Sequence, residues 1–112
     1  MVKSQALGNS NLDNIFSSLS DPTRRKIIEM LSVRDMTVGE IKAPFRMSLV
    51  AVSKHLKVLE KAKLIRRQKM GREHIIKFHP QPLKDAYRHL EIYKPQWMRQ
   101  LDAMEKFLER NS

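Results

Sequence analysis

Apolar side chains recur three and four positions apart through the first third of the chain, which is the spacing of helices with one buried face. A first helix is predicted to start at an Asn11 cap, and a second at Asp21-Pro22, because aspartate is a favoured N-cap and proline suits the first helical position. Residues 1–10 carry no apolar block and are predicted to form a flexible tail. The buried positions of the two helices are predicted to be Leu12, Ile15, Phe16, Leu19, Ile27, Ile28 and Leu31.

Two further helices are predicted between residues 37 and 62, joined by a tight turn. Thr37 and Glu40 have the spacing of a capping box, and Pro44 ends this short helix because a residue that precedes proline avoids the α region. Ser48 is predicted to cap the next helix, and the pair forms a helix-turn-helix. The apolar stripe of the second helix consists of Leu49, Val52, Leu56 and Leu59.

A hairpin and a long helix are predicted to follow. The hairpin has strands starting at Leu64 and His74, with Gly71 at the turn. Pro95 lies inside the last helical pattern, and we expect it to kink or break the helix because proline lacks a backbone donor and clashes with the preceding turn. The apolar seam of this helix has heptad spacing and consists of Leu83, Tyr87, Leu90, Trp97, Leu101, Met104 and Leu108.

The positive charge is concentrated in the second half of the helix-turn-helix and in the hairpin. The chain has 112 residues and a formal net charge of +10, and the segment from Ser48 to His79 contains nine Lys/Arg against two acids. Such an excess indicates a polyanionic partner, either nucleic acid or an anionic membrane. Cysteine is absent, which excludes disulfides and thiolate metal sites.

A basic helix followed by a basic hairpin suits B-DNA, since a helix fits the major groove and a hairpin can reach the flanking backbone or the minor groove. We expect the start of the helix to read base edges and the other residues to bind phosphates, with Arg72 entering a narrow minor groove. The predicted DNA-binding residues are Ser48, Val50, Ala51, Ser53, Lys54, His55, Lys57, Arg67, Lys69, Arg72 and His74.

Several of these basic or polar residues also have a structural interpretation, and both stay open here. Ser48 caps its helix whether or not it contacts a base. His55 borders the core stripe and fits a hydrogen-bonded packing role, and Lys57 fits a solvated face. Arg24 and Arg25 are compatible with a solvated face or with phosphate or carboxylate contacts.

A homodimer is predicted from apolar residues on the first and last helices that one copy of the chain leaves uncovered, although the same residues could form intramolecular core. The predicted dimerisation residues are Leu12, Ile15, Phe16, Leu90, Trp97, Leu101, Met104 and Leu108.

The order of elements from Leu12 to Leu108 resembles a winged helix-turn-helix of the ArsR/SmtB family of bacterial transcriptional regulators. Asp21-Pro-Thr-Arg-Arg25 is similar to the opening of the family's second helix, and Val52-Ser-Lys-His-Leu-Lys-Val-Leu59 to its recognition helix. The segments 63–67 and 71–74 are similar to its wing. The pattern Tyr93…Trp97…Leu101-Asp-Ala-Met104 resembles the metal-free, SdpR-like autorepressor subgroup.

This resemblance implies a mainly α fold with a small β-hairpin, in the order α-α-α-α-β-β-α, as a single domain over residues 11–110. The helix-turn-helix would occupy about 37–62, the wing about 64–78 and a dimerisation helix about 82–110. The resemblance also implies a cytoplasmic, nucleoid-associated bacterial homodimer that binds double-stranded operator DNA and represses promoters, often its own.

Metal-sensing members of the family use Cys-x-Cys on the third helix, or carboxylates and two histidines on the last. The matching positions Thr37 and Gly39 cannot bind a soft metal, and the last helix offers Asp85, His89 and Glu91 without a second histidine. We therefore expect no metal and no other cofactor. An unknown effector, either a small molecule between the first and last helices or a partner protein, stays open.

Other functions are disfavoured by the sequence. A metal- or small-molecule-responsive repressor of the same fold and a basic protein that binds anionic membranes are the alternatives, but membrane binding needs no helix-turn-helix and hairpin. The chain has no phosphate-binding glycine loop, nucleophile elbow, zinc-ligand spacing or convergent acid pair, so we expect no enzyme. RNA binding is disfavoured because the strands lack a row of aromatic residues.

Overall fold

The computed structural model describes the backbone of residues 2–111 and the side chains of residues 11–111. Helices form most of this part of the chain and a small antiparallel sheet completes it, which confirms the predicted fold class. The helices are α1 (Val2–Leu19), α2 (Pro22–Val33), α3 (Val38–Lys42), α4 (Leu49–Lys61), α5 (Gln81–Glu91) and α6 (Gln96–Arg110). The strands are β1 (Met36–Thr37), β2 (Ile65–Met70) and β3 (Glu73–Phe78).

Side-chain caps begin the three helices that carry the helix-turn-helix and its support. The Asp21 carboxylate accepts the Arg24 backbone N–H at 3.0 Å, and Pro22 starts α2. Thr37 and Glu40 form the reciprocal capping box of α3. The Ser48 hydroxyl accepts the backbone N–H of the third residue of α4 at 3.1 Å. The predicted caps at these three helices are confirmed, and each satisfies a backbone donor that has no partner inside the helix.

The start of α1 differs from the prediction. The helix begins at Val2, nine residues before the predicted start. Asn11 therefore lies inside α1 and is not its N-cap. Because no proline occurs in residues 2–10, nothing in their covalent structure stops the helix from extending. The predicted flexible tail is therefore replaced by helical backbone in the structure.

The core forms where α1, α2, α4 and the sheet meet. Val52, Leu56 and Leu59 of α4 are completely buried, which confirms three of the four positions of the predicted stripe. Leu49 is 51% exposed, because it is the first residue of α4 and lies beyond the buried stripe. The core residues are Ile15, Ile27, Ile28, Leu31, Ile41, Val52, Leu56, Leu59, Ala62, Leu64, Ile65, Ile76 and Ala86.

The sheet has the order β1-β3-β2, so β3 is its central strand. Strands β2 and β3 pair from Ile65↔Phe78 to Met70↔Glu73 and form the wing, joined by a two-residue loop. Gly71 has a φ of +63° at the first loop position, where a type II′ turn takes glycine. Strand β1 was not predicted, since a two-residue strand is too short to show an alternating pattern.

Helix α4 ends in a Schellman motif at a residue that is not glycine. The backbone N–H of Leu64 donates to the Leu59 carbonyl at 3.0 Å, and that of Lys63 donates to the Glu60 carbonyl at 2.9 Å. Lys63 has a φ of +62°, a left-handed conformation that disfavours residues with a Cβ. This turn directs the chain from α4 into the wing.

The predicted helix over about 82–110 is two helices. Helix α5 ends at Glu91 and α6 begins at Gln96, so Pro95 breaks the helix rather than kinking it. Proline cannot donate the backbone hydrogen bond that would continue α5, and it serves instead as the N-cap position of α6. The Lys94 ammonium contacts the Asp102 carboxylate across the joint, and no residue of α6 is buried in the protomer.

We expect Asp21→Ala to lower the free energy of unfolding by about 1 kcal/mol, the usual value of an N-cap. Its backbone hydrogen bond from Arg24 lowers the pKa of Asp21. The stabilisation is therefore present above the unfolded pKa of about 3.9 and is lost as the pH falls through the lower folded pKa. Thermal unfolding of both proteins between pH 7 and pH 3 measures this as a difference in Tm of about 4 °C that shrinks in acid.

The matched control is Asp13→Ala, since Asp13 is an exposed carboxylate in the middle of α1. It should leave the Tm nearly unchanged at every pH. A loss of stability for Asp21→Ala that persists unchanged at pH 3 would contradict the capping role.

Candidate nucleic-acid interface

One face of α4 is buried and the opposite face is left in solvent. Helices α1, α2 and α3 and strand β2 pack against the buried stripe. On the outward face Val50 is 66% exposed, and Lys54 and Lys57 are exposed as well. Ala51 and Ser53 are half-buried at its edges. The face therefore combines cations with small apolar side chains, the groups that bind phosphates and thymine methyls in a major groove.

Ser48 both caps α4 and remains exposed. Its oxygen accepts the Ala51 N–H, and the hydroxyl hydrogen is left to donate to an acceptor on a nucleic acid. The structural role is thus established by geometry and is compatible with a base or phosphate contact.

The wing presents cations at its tip. Lys69 and Arg72 are exposed, and Arg72 lies in the loop beside Gly71. Among the residues of β2, only Ile65 is buried. The tip is therefore a projecting basic loop that can enter a groove or contact its phosphates.

Two wing residues that were predicted to bind phosphates interact within the protomer instead. Arg67 is ion-paired, and His74 is half-buried. The Arg67 guanidinium donates to the Glu60 carboxylate at 3.0 Å, which ties the wing to the end of α4. His74 is half-buried, and its Nδ1 is buried without a hydrogen-bond partner among the described residues. The imidazole lines a cavity of about 250 Å³ beside Thr37 and Gly39. Both side chains are therefore less available to DNA than those of Lys69 and Arg72.

His55 points toward α2 rather than into the outward face of α4. Its side chain is 21% exposed, and its Nδ1 lies 3.3 Å from the Arg24 guanidinium and 3.8 Å from the Asp21 carboxylate. The contacts match the packing interpretation of this residue. The pKa of Asp21 is lowered mainly by the Arg24 backbone N–H, against an opposing effect of burial, and His55 lowers it further.

Arg24 and Arg25, in the first turn of α2, bind backbone carbonyls. The sequence had suggested either a solvated face or phosphate or carboxylate contacts for them, and neither included this role. Arg24 donates to the carbonyls of Ser18 and Ser17, and Arg25 donates to that of Leu19 at 2.7 Å. These carbonyls lie in the last turn of α1, where acceptors lack partners within the helix, and that of Ser17 also accepts hydrogen bonds from Ser20. The sequence signal that could have indicated this contact is a helix that ends without a glycine cap and is followed by a second helix with arginines in its first turn.

The predicted dimerisation residues separate into a buried part and an exposed part. Ile15 is 2% exposed and packs in the core of the single copy, which leaves it little surface for contact with a second copy. Leu12 is half-buried. The exposed residues are Phe16, Leu90, Trp97, Leu101, Met104 and Leu108.

The exposed residues of α6 form an apolar face along the whole helix. Trp97 is 60% exposed, and Leu101, Met104 and Leu108 follow it at helical spacing on the same side. Phe107 is also exposed and was missed, because it lies beside the heptad seam rather than on it. We call Trp97, Leu101, Met104, Phe107 and Leu108 the α6 apolar face.

The positions where metal-sensing relatives carry ligands do not fit a metal here. Thr37 is occupied as a helix cap and Gly39 has no side chain. The Asp85 carboxylate accepts a hydrogen bond from Gln81 at 3.0 Å. Across the described side chains there is no group of three or more His, Cys, Asp or Glu residues that could hold a metal ion. In residues 2–111 no helix is both long and apolar enough to cross a bilayer.

Comparison with known proteins identifies the family. The profile of the "Bacterial regulatory protein, arsR family" matches residues 21–67, which run from the α2 cap into the wing. The transcriptional repressor SdpR of Bacillus subtilis (strain 168) is 42% identical over 60 residues, 54% of this chain and 67% of SdpR. The uncharacterized HTH-type regulator YuzN of the same strain is 37% identical over 87 residues, 71% of this chain and 95% of YuzN. The chain belongs to the ArsR family.

Solved structures agree with this assignment. A crystal structure of an ArsR family transcriptional regulator has a TM-score of 0.73 and 34% identity, covering 79% of this chain and 97% of that one. An ArsR-like regulator from Rhodococcus sp. RHA1 has a TM-score of 0.70 and 29% identity, covering 88% and 93%. As a member of the ArsR family, the protein is a DNA-binding transcriptional regulator and not an enzyme.

We expect Arg72→Ala to weaken DNA binding and to reduce the preference for A·T-rich sequence beside the recognition site, because the wing tip loses its only loop cation. The slope of log K against log[salt] should become shallower by about 1 for each wing that binds a phosphate, hence by about 2 for a dimer. Fluorescence anisotropy titrations at several salt concentrations measure both effects.

The control is Arg110→Ala, which removes the same charge at the exposed end of α6. It should leave the salt slope unchanged. A binding curve for Arg72→Ala that overlays that of the parent protein would remove the wing tip from the DNA interface.

Proposed function

We propose that the protein is a repressor that binds a palindromic operator as a homodimer without a metal cofactor. It would act in the bacterial cytoplasm, in association with the nucleoid. The observation that carries this proposal is the division of α4 into a completely buried stripe and an exposed basic face. A helix held in this way presents a rigid row of side chains to the major groove. The family assignment supports DNA as the partner of that face.

In the proposed complex the start of α4 reads bases. Val50 and Ala51 contact thymine methyls, and Lys54 reaches the O6 and N7 atoms of guanine. Ser48 reads a base beside them, and Ser53 and Lys57 bind the neighbouring phosphates. The wing lies against the flanking backbone, with Arg72 in the minor groove and Lys69 beside it. Arg67 and His74 contribute only if their contacts within the protomer open.

The exposed apolar surface supports a dimer. The α6 apolar face, together with Phe16 of α1 and Leu90 of α5, would stay in water in a single copy. A second copy related by a two-fold axis covers both faces at once. Two α4 helices then bind successive major grooves of one side of the duplex, with half-sites about 10–10.5 bp apart or a multiple of that distance.

One observation supports repression, and a second supports the absence of a metal. The relative SdpR is named a transcriptional repressor, and a repressor needs no chemistry beyond occupying its operator. The positions that bind metal in other members carry a cap, a glycine and a carboxylate engaged by glutamine. A small effector could bind the cavity of about 560 Å³ between α1 and α5, which Leu12 and Ala86 line.

Selection of bound fragments from random duplex DNA, run beside size-exclusion chromatography with light scattering, tests the proposal. We expect a palindromic motif bound by two copies, with affinity falling about 10³–10⁵-fold between about 50 and 200 mM salt for about 6–10 neutralised phosphates. Enrichment of no motif at moderate salt would refute sequence-specific repression. Binding to anionic vesicles with no bound DNA would support the membrane alternative instead.

We expect Leu101→Asp to convert the dimer to a monomer, because a carboxylate in the middle of the α6 apolar face would be buried without a partner. Specific DNA affinity should fall with it, since one subunit contacts one half-site. Light scattering measures the mass, and circular dichroism verifies that the variant is folded.

The control is Val33→Asp, at an exposed valine at the end of α2. This variant should remain dimeric. A folded Leu101→Asp protein that keeps the mass of the parent would exclude α6 from the dimer interface.

A further inference from the structure

Arg24 connects three elements of the fold through one side chain. Its Nε donates to the Ser18 carbonyl at 2.6 Å, its Nη2 donates to the Ser17 carbonyl at 3.1 Å, and its Nη1 lies 3.3 Å from His55 Nδ1. The first two contacts bind the end of α1 and the third binds the middle of α4. A guanidinium has a planar fork of donors that can make three such contacts at once, whereas an ammonium group is a single point.

The partner on α4 is well placed to transmit this link. His55 lies between Lys54, on the outward face, and Leu56, which is completely buried. Because a guanidinium can only donate, this contact is a hydrogen bond when His55 Nδ1 accepts. The Asp21 carboxylate, 3.8 Å from Nδ1, also accepts the Arg24 backbone N–H. Asp21, Arg24 and His55 together form the α1–α4 link.

We propose that Arg24 is a positioning residue for DNA recognition, which acts through His55 to fix the orientation of α4 relative to α1. The inference rests on the proposed function, in which α4 enters the major groove and α1 carries part of the dimer surface. Base contacts require side chains held within a fraction of an ångström and about 10–20°. In a two-fold dimer a rotation of α4 alters both half-site contacts and the distance between them.

The neighbouring Arg25 offers a control at the same helix end. It donates to the Leu19 carbonyl at 2.7 Å, and its side chain is exposed and forms no hydrogen bond or ion pair with α4 among the described residues. Arg24→Lys and Arg25→Lys therefore both keep the net charge and both weaken the capping of α1. Only Arg24→Lys breaks the link to α4.

The first test compares these two variants in operator binding. We expect Arg24→Lys to lose about 10-fold or more in specific affinity, the range for a hydrogen bond to a charged group, and Arg25→Lys to lose less than about 2-fold. Both should keep the parent salt slope and the parent dimer mass. Equal losses for the two variants would show that Arg24 acts only as a helix cap. A salt slope that is shallower by about 1 per subunit, about 2 per dimer, would indicate a direct phosphate contact instead.

The second test removes the acceptor. His55→Leu should weaken operator binding about as much as Arg24→Lys does, and His55→Asn should recover most of the loss because its amide oxygen can accept from the guanidinium. The double variant Arg24→Lys/His55→Leu should bind no more weakly than either single variant. Additive losses would show that the two residues do not act through one contact. If Arg24→Lys fails to fold, the pair His55→Leu and His55→Asn decides the question alone.

Lys54→Ala separates failure of this inference from failure of the proposed function. Lys54 is exposed on α4 and makes no contact in the α1–α4 link. If Lys54→Ala weakens operator binding while Arg24→Lys does not, α4 binds DNA without needing Arg24. If Lys54→Ala leaves specific binding unchanged, the DNA-binding face is not α4, and both statements are wrong.

Discussion

The burial of one stripe of α4 is the constraint on which the rest of the molecule depends. Val52, Leu56 and Leu59 have no exposed surface, and they pack among α1, α2, α3 and β2. Because side chains on a helix repeat every 3.6 residues, fixing this stripe also fixes which residues face away from the core. Lys54 and Lys57 are cationic at those positions, so the same packing that stabilises the fold produces the surface that attracts DNA.

Contacts around the stripe hold the proposed DNA-binding surface at two points. At the end of α4, the left-handed Lys63 reverses the chain into the wing, and the Arg67–Glu60 ion pair holds the two together. On the side of α2, Arg24 holds His55. These contacts tie α4 to the wing and to α2. In the proposed dimer, they would hold the two α4 helices at a fixed spacing along DNA.

The sequence predicted those features that local chemistry determines. The caps at Asp21, Thr37 and Ser48 and the turn at Gly71 follow from side chains that act on their own neighbours. Features that depend on tertiary contacts were missed. The Arg24 contact needs a histidine that lies 31 residues away in the sequence. Leu49 has the spacing of the buried stripe but is exposed, because the core does not extend to the first residue of α4. Lys63 was missed because no glycine marks its left-handed conformation.

Ionic contacts at the joint between α5 and α6 help to position α6, which carries the proposed dimer surface. Across the joint, Lys94 contacts Glu91 and Asp102, and the bond to Asp102 raises the pKa of the ammonium. Raising the folded pKa means that this stabilisation is present at neutral pH and is lost only in strong alkali. These groups are near the surface, and exposed ion pairs stabilise a conformation weakly and are screened by salt. The position of α6 therefore depends mostly on what covers its apolar face. Burial of that face in a dimer would hold α6 in place and bring two α4 helices onto one DNA duplex, so that assembly and operator binding strengthen each other through linkage.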